Sequence, residues 1–249
     1  MKKNMEGTTR KAIIVGASSG IGHEMAKILI GDGWTTALAA RRKDMMDDLK
    51  ALAPERVTTA YLDVTSQEAT ATLDKLIEEN GGMTLYLHVA GTGKRNNSLE
   101  SKAENDTVAV NAAGFCRMVC HAYNYFASNG GGHIAVVSSI AGTMGLGAAP
   151  AYSATKAMQA TYIEALAQQA HMRKLDITFS DIRPGFVKTA LLANDSYPMT
   201  MDVESTARKA VAAIYSHRNV AVIDWRWSVV TALWRLIPHC IWRRLRIGG

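Results

Sequence analysis

Cysteine is scarce in this chain: 249 residues hold three, Cys116, Cys120 and Cys240. Cys116 and Cys120 lie four apart on one predicted helix and Cys240 is remote, so no Cys-x-x-Cys or Cys/His grouping has metal-site spacing. That excludes a disulfide-built scaffold and a structural metal centre, and the thiols are expected to be reduced and buried. Linkers are missing too. No Pro/Ser-rich stretch, repeat or low-complexity run divides the chain, so one domain over residues 1–249 is expected, with a core at 10–224 and an extension at 225–249. There is no long apolar run either, because Arg226, Arg235 and Arg243 interrupt the tryptophan-rich C-terminal stretch, which excludes a transmembrane span there. The basic start, Met1 to Lys11, leads into only a short apolar run, too little for a signal peptide; a cytoplasmic protein is expected. Charge is unevenly placed. The net charge is +6, and residues 224–249 supply +4 of it with five arginines and one acid. The remainder is nearly neutral, which excludes a general nucleic-acid surface.

With 48% hydrophobic residues the chain has ample material for a core. Its apolar runs alternate between strand-like and helix-like patterns. Strands are predicted at 12–15, 35–40, 57–62, 84–89, 133–138, 177–182 and 220–224. Helices are predicted at 21–31, 43–52, 66–79, 102–128, 151–173 and 203–216. Thr65-x-x-Glu68 and Ser101-x-x-Glu104 read as capping boxes for two of them. Regular alternation of this kind predicts an α/β, Rossmann-like, doubly wound parallel sheet of about seven strands. Ligands would then sit at the carboxyl ends of the strands. Gly16, Asp63, Gly91, Ser139 and Pro184 all fall just after predicted strands.

Two local patterns carry chemistry. Ala12-Ile13-Ile14-Val15 runs into Gly16-Ala17-Ser18-Ser19-Gly20-Ile21-Gly22, and Ile21, Met25, Ile28 and Leu29 then recur at helical spacing. Strand, glycine turn and helix N-terminus together suit a pyrophosphate, although a glycine turn alone is often only a tight turn. Further along, Tyr152 and Lys156 are four apart, and Ser139 precedes the tyrosine. On a helix the phenol and the ammonium share a face. A cation there is expected to lower the tyrosine pKa and fit it for proton transfer at neutral pH. Alone, such a pair is a common surface feature.

Together these residues resemble the short-chain dehydrogenase/reductase family over roughly 10–220. The motifs are the turn Gly16 to Gly22, Asp63 in Leu62-Asp63-Val64, Asn111 in Val110-Asn111-Ala112-Ala113-Gly114, the set Ser139, Tyr152 and Lys156, and Pro184-Gly185-Phe186-Val187-Lys188-Thr189. The resemblance implies that Asn111, Ser139, Tyr152 and Lys156 are catalytic. It also implies cofactor contacts from Gly16, Ser18, Ser19, Gly20, Ile21, Gly22, Arg41, Arg42, Asp63, Val64, Ala90, Gly91, Tyr152, Lys156, Pro184, Gly185, Val187 and Thr189. A homodimer or homotetramer acting on a small carbonyl or alcohol is implied as well, with no metal and no nucleic acid. The chain departs from the pattern at His88-Val89-Ala90-Gly91, where Asn-Asn-Ala-Gly is usual, and at Val15, where threonine is usual. His88, at a strand end, reads as structural rather than catalytic.

The cofactor is expected to be NADP. The second strand ends in Ala39-Ala40-Arg41-Arg42-Lys43 with no acid until Asp44; a carboxylate there would bond a ribose hydroxyl, whereas a guanidinium suits a 2′-phosphate. Arg41 matches the family's NADP position, while Lys43 reads as the solvated start of a helix. The family mechanism places Tyr152 as acid, Ser139 on the substrate oxygen, Lys156 on the nicotinamide ribose, and Asn111 holding a water that links Lys156 to solvent. Ser138 points to the other face of its strand. Reduction is the expected direction, since cells keep NADP reduced. A substrate lid is expected at 190–202, with Leu191, Leu192, Tyr197, Pro198, Met199 and Met201, and its apolar character suits a hydrophobic ketone, aldehyde or oxoacyl group. The other class of function is a non-catalytic NADPH sensor or membrane-surface scaffold.

The C-terminal segment holds four of the five tryptophans. Val230, Trp234, Ile237 and Ile241 form an apolar helical stripe that Pro238 is expected to kink or break. It suits either the chain's own core or a second subunit, or peripheral contact with a membrane through 225–247.

Overall fold

A computed structural model describes residues 10–189, 197, 199–245 and 247. Seven apolar runs form one parallel sheet in the order β3-β2-β1-β4-β5-β6-β7. The strands are β1 (Lys11–Val15), β2 (Thr35–Ala40), β3 (Val57–Tyr61), β4 (Leu85–His88), β5 (Gly132–Val137), β6 (Ile177–Pro184) and β7 (Val220–Ile223). Parallel neighbours cannot be joined by a tight turn, so helices make the crossovers. These are α1 (Gly20–Gly31), α2 (Asp47–Leu52), α3 (Ala69–Glu79), α4 (Ser101–Val108), α5 (Phe115–Ser128), α6 (Pro150–Met172) and α7 (Val203–Tyr215). Two more helices, α8 (Trp225–Leu236) and α9 (His239–Trp242), follow β7.

Strand alternation feeds two cores. Ala12 and Ile14 pack with Met25 and Leu29 of α1 and Ala210 of α7. Ile13 and Val15 face the other way, onto Leu73 of α3, Phe115 and Met118 of α5, and Ile163 of α6. Covered on both faces, the inner strands have no reason to alternate with polar residues, which is why they read as continuous apolar runs. β1 pairs with both β2 and β4, so the strand order reverses at its carboxyl end and opens a crevice there.

Several sequence expectations are corrected. Neither capping box caps its helix. Helix α3 starts later, at Ala69, and the Thr65 amide and hydroxyl both turn back to Asp63 Oδ1, at 2.9 and 2.7 Å. Helix α4 starts at Ser101 itself, because the Glu104 carboxylate is used elsewhere: it accepts from Asn96 Nδ2 at 2.8 Å and from Ala151 N at 2.9 Å, the first turn of α6. The helix expected at 102–128 is instead α4 and α5 joined by a π-helical turn at Ala109–Gly114. Only a 3-10 turn, Asp44–Met46, precedes α2. The cysteines are free, but Cys116 is only half-buried and Cys120 and Cys240 are exposed, since the latter two lie on solvent-facing sides of their helices. Helix α8 ends at Leu236 and Pro238 separates it from α9, the break its ring imposes.

Candidate functional site

Side chains from β1, β2, β4, β5, α6 and β6 meet at the crevice. On one side is the glycine turn. Gly16 has φ +100°, and a Cβ on it would lie 2.4 Å from the Ala90 nitrogen, so no other residue fits between β1 and β4. Helix α1 opens at Gly20 with no acidic residue in its first turn, which leaves its positive end free of a neutralising charge. Arg42 Nη2 donates to Ser19 Oγ at 2.7 Å and to Ser18 Oγ at 3.3 Å, gathering guanidinium and hydroxyls over the turn. Arg41 faces the other way, toward Asp63. Burial alone would raise the Asp63 pKa, but the Thr65 hydrogen bonds and the Arg41 charge together hold it below the ordinary value.

The remaining residues expected to touch a cofactor have these surroundings. Ile21 packs on the core beside the buried Gly22. Val64 is buried and its carbonyl accepts from Arg117 Nη1 at 2.7 Å. Ala90 N donates to Val15 O at 2.9 Å, and a Cβ on Gly91 would lie 3.3 Å from Asn111 Oδ1 and 3.5 Å from Lys156 Nζ. Past Pro184 and Gly185 the chain returns over the glycine turn, so that a Cβ on Gly20 would meet Thr189 Cγ2 at 3.2 Å. Val187 is buried and bridges Met201.

On the other side stand Ser139, Tyr152 and Lys156. Ser139 leaves β5 in extended conformation and its Oγ accepts from Ala141 N at 3.1 Å. The Tyr152 pKa is raised, not lowered as the sequence suggests. Burial dominates, the Ser139 hydrogen bond opposes it, and Tyr197 adds to it. The reason is where the cation points. Lys156 Nζ sits 5.8 Å from the Tyr152 ring centroid and donates instead to Val137 O and Gln159 Oε1, each at 3.0 Å. Burial pulls the Lys156 pKa down to about 8, against an opposing pull from Asp181.

Asn111 is fully buried. Its Oδ1 accepts from Thr92 N at 2.9 Å, while its Nδ2 donates to Thr92 O at 2.6 Å. Its carbonyl, inside the π turn, accepts from Gln159 Nε2 at 2.8 Å. The Gln159 amide thus touches both Asn111 and Lys156. Gln159 is itself wholly buried. Sequence reasoning missed it, although Tyr152, Lys156 and Gln159 stand at i, i+4 and i+7 on one helical face. Also missed were Gly93, where a Cβ would lie 2.1 Å from Tyr152 Cδ2, and Asp181, which holds Ser138 Oγ on one oxygen and Arg183 Nε on the other at 2.6 Å. That bond keeps Ser138 turned away from Tyr152.

His88 lies behind the site, buried. Its Nδ1 is 3.0 Å from the Tyr86 hydroxyl and its ring meets Phe115 edge-on at 5.2 Å. Burial first, and then the Lys156 charge, push its pKa down to about 3. It is a neutral strut under these conditions, as its position in the sequence suggests.

An aromatic ladder closes the outer wall. The Arg95 guanidinium lies 5.0 Å over the Tyr197 ring, which stacks on Phe186 at 4.2 Å. Phe186 meets Trp227 at 5.3 Å, and Trp234 and Trp242 continue the series. Trp242 Nε1 donates to Gly145 O at 2.7 Å, tying α9 to the loop between Ser139 and Tyr152. Of the expected lid, Leu191, Leu192 and Pro198 lie outside the described residues. Met199 packs on the core, and Met201 is buried there with its nitrogen bonded to Phe186 O at 2.8 Å.

Residues 10–199 match the family model described as short chain dehydrogenase. An uncharacterized oxidoreductase of Mycobacterium tuberculosis (strain ATCC 25618 / H37Rv) is 31% identical, over 95% of this chain and 97% of its own. A short chain dehydrogenase from Burkholderia cenocepacia J2315, solved in complex with NADP, superposes with a TM-score of 0.83 at 20% identity, covering 96% of this chain and 98% of its own. A short-chain dehydrogenase from Sphingobium yanoikuyae in complex with NADPH gives 0.78 at 20% identity, with the same coverage.

Proposed function

Because the chain belongs to the short chain dehydrogenase family, we propose that it is an NADPH-dependent oxidoreductase that reduces a hydrophobic ketone, aldehyde or oxoacyl group to the alcohol. The observation that carries this reading is the Tyr152 phenol beside Ser139, with the Lys156 ammonium 5.8 Å from its ring centroid.

The crevice suits NADPH. The glycine turn and the open end of α1 match a pyrophosphate. Arg42 with Ser18 and Ser19 matches a 2′-phosphate, which a guanidinium favours over a bare hydroxyl. Asp63 and Val64 would hold the adenine, and Ala90, Gly91 and Pro184 to Thr189 would hold the nicotinamide end. When bound, NADPH supplies the hydride that the carbonyl carbon receives.

The chain's own residues handle the oxygen. With its pKa raised, Tyr152 is protonated at neutral pH, the state from which a phenol can donate. It gives that proton to the carbonyl oxygen, while Ser139 donates a hydrogen bond to the same atom. Lys156 keeps its place because Val137 O and Gln159 Oε1 anchor Nζ, and Gln159 in turn is anchored on Asn111. The substrate's apolar part would lie against Phe186 and Tyr197. Assembly as a homodimer or homotetramer is proposed on the family relationship alone. Among the described residues no helix is long and apolar enough to cross a membrane.

The test is NADPH consumption against a panel of ketones, aldehydes, 3-oxoacyl thioesters and oxosteroids. Turnover of at least one apolar carbonyl, with NADPH preferred to NADH, is expected. Tight NADPH binding without turnover of any would make the protein a sensor.

A further inference from the structure

Helix α8 has two apolar faces, and the core needs only one. Trp227 and Thr231 are buried, and Val230 and Trp234 pack beside them against Ile223 and the Pro184–Gly185 turn, where a Cβ on Gly185 would lie 2.2 Å from Trp227 Nε1. The opposite face carries Trp225, Val229, Leu233 and Leu236, exposed at 75, 50, 57 and 77%. These fall at i, i+4, i+8 and i+11, one continuous stripe down the helix. Ile241 and Leu245, exposed at 51 and 44%, extend the apolar surface past Pro238.

The charge around this stripe has one sign. Arg226 and Arg235 flank it at helical spacing, and Arg243 and Arg244 stand exposed at its far end. No aspartate or glutamate occurs from 225 to 245. Asp224, the acid next in sequence, pairs with Arg226, which reaches its two oxygens at 3.0 and 2.8 Å, so the net positive charge of this face comes from Arg235, Arg243 and Arg244. A second copy of this chain placed here across a two-fold axis would press the same arginines together, a like-charge contact that interfaces avoid. An apolar stripe between basic flanks, with tryptophan at its edge, instead matches an anionic lipid interface, which accepts apolar side chains below the headgroups and arginines among them.

We infer that α8 and α9 seat the protein on an anionic membrane surface with the mouth of the candidate site against the lipid. The aromatic ladder ties this helix pair to the site. Trp242 is bonded to the Gly145 loop and Trp227 is packed on Gly185 and Phe186, so the helix pair is the outer wall of the crevice that holds Tyr152. Seated this way, the site faces solutes dissolved in the bilayer. If the reductase reading holds, and this last step rests on it, the substrate is a membrane-partitioned carbonyl compound.

Flotation of the full chain tests the seating without cofactor or turnover, so its failure is distinct from failure of the reductase reading. The probes are vesicles of phosphatidylcholine alone and of phosphatidylcholine with one quarter phosphatidylglycerol. The protein is expected to float with the anionic vesicles, less so at high salt, and only weakly with the neutral ones. The double variant Val229→Glu/Leu233→Glu, both positions exposed, is expected to keep its circular dichroism and to lose about tenfold or more in partitioning. The variant Arg235→Glu/Arg243→Glu is expected to lose the anionic preference. Absence of the full chain from the anionic vesicle fraction, or flotation of Val229→Glu/Leu233→Glu equal to the parent, would overturn the inference. Concentration-dependent self-association abolished by that same variant, without flotation, would assign the face to a second copy instead.

Discussion

Gln159 Nε2 donates to the Asn111 carbonyl oxygen at 2.8 Å. The same amide accepts from Lys156 Nζ at 3.0 Å. One side chain thus fixes a buried ammonium to the π turn between α4 and α5.

Replacing Gln159 by Leu removes the acceptor from a buried cation and leaves the Asn111 carbonyl without its donor. The Lys156 pKa, already pulled down to about 8, is expected to fall further, because the charged form loses a partner. The alkaline limb of the kcat profile should therefore move to lower pH, with kcat reduced about tenfold and KM little changed. Loss of stability of about 1–3 kcal/mol should accompany it. An unchanged pH profile would remove Gln159 from the account.

Gly93 leaves no room beside Tyr152. A Cβ there would lie 2.1 Å from the Tyr152 ring carbon, so Gly93→Ala should displace the phenol while the fold persists. A misplacement of that order is expected to cost about a hundredfold in kcat. Steady-state kinetics together with circular dichroism would separate displacement from unfolding.

Arg42 is the guanidinium over the Ser18 and Ser19 hydroxyls. Arg42→Ala should weaken NADPH about ten- to a hundredfold, the worth of a charge-assisted phosphate contact, and leave NADH nearly unaffected. Arg41→Ala, beside Asp63, should do less. Titration of NADPH fluorescence measures both.

His88 makes the fold sensitive to acid. Its pKa is about 3 in the folded chain, mainly from burial and then from the Lys156 charge, against an ordinary value of 6.5. The groups facing it are Tyr86, Phe115, the Ala90 backbone and Lys156. Between those two values the unfolded chain binds a proton that the folded chain does not, so stability falls as pH drops from 6.5 toward 3. The loss is up to about 5 kcal/mol. His88→Asn should remove that part of the acid dependence, as urea unfolding at pH 7 and pH 4 would register.

The strands and the glycine turn were legible in the sequence because burial on both faces writes each strand as an apolar run. Ser139, Tyr152 and Lys156 were legible because helix and strand geometry converts their spacing into proximity. What was not legible depends on partners distant in sequence. The Ser101–Glu104 box fails because Ala151, from another helix, takes the Glu104 carboxylate. The π turn at Asn111 faces Gln159, forty-eight positions away. The lowered phenol pKa did not appear because adjacency on a helix does not fix where a lysine's ammonium points. In α8, tryptophan stands on both faces, and the inward side is set by Gly185, which receives Trp227.

The central claim is that Tyr152 is the acid of a carbonyl reduction, and Tyr152→Phe tests it most directly. With a carbonyl that the parent reduces, NADPH consumption by the variant is predicted to fall about 10²–10⁴-fold while NADPH still binds. Turnover by Tyr152→Phe at the parent rate would contradict the account.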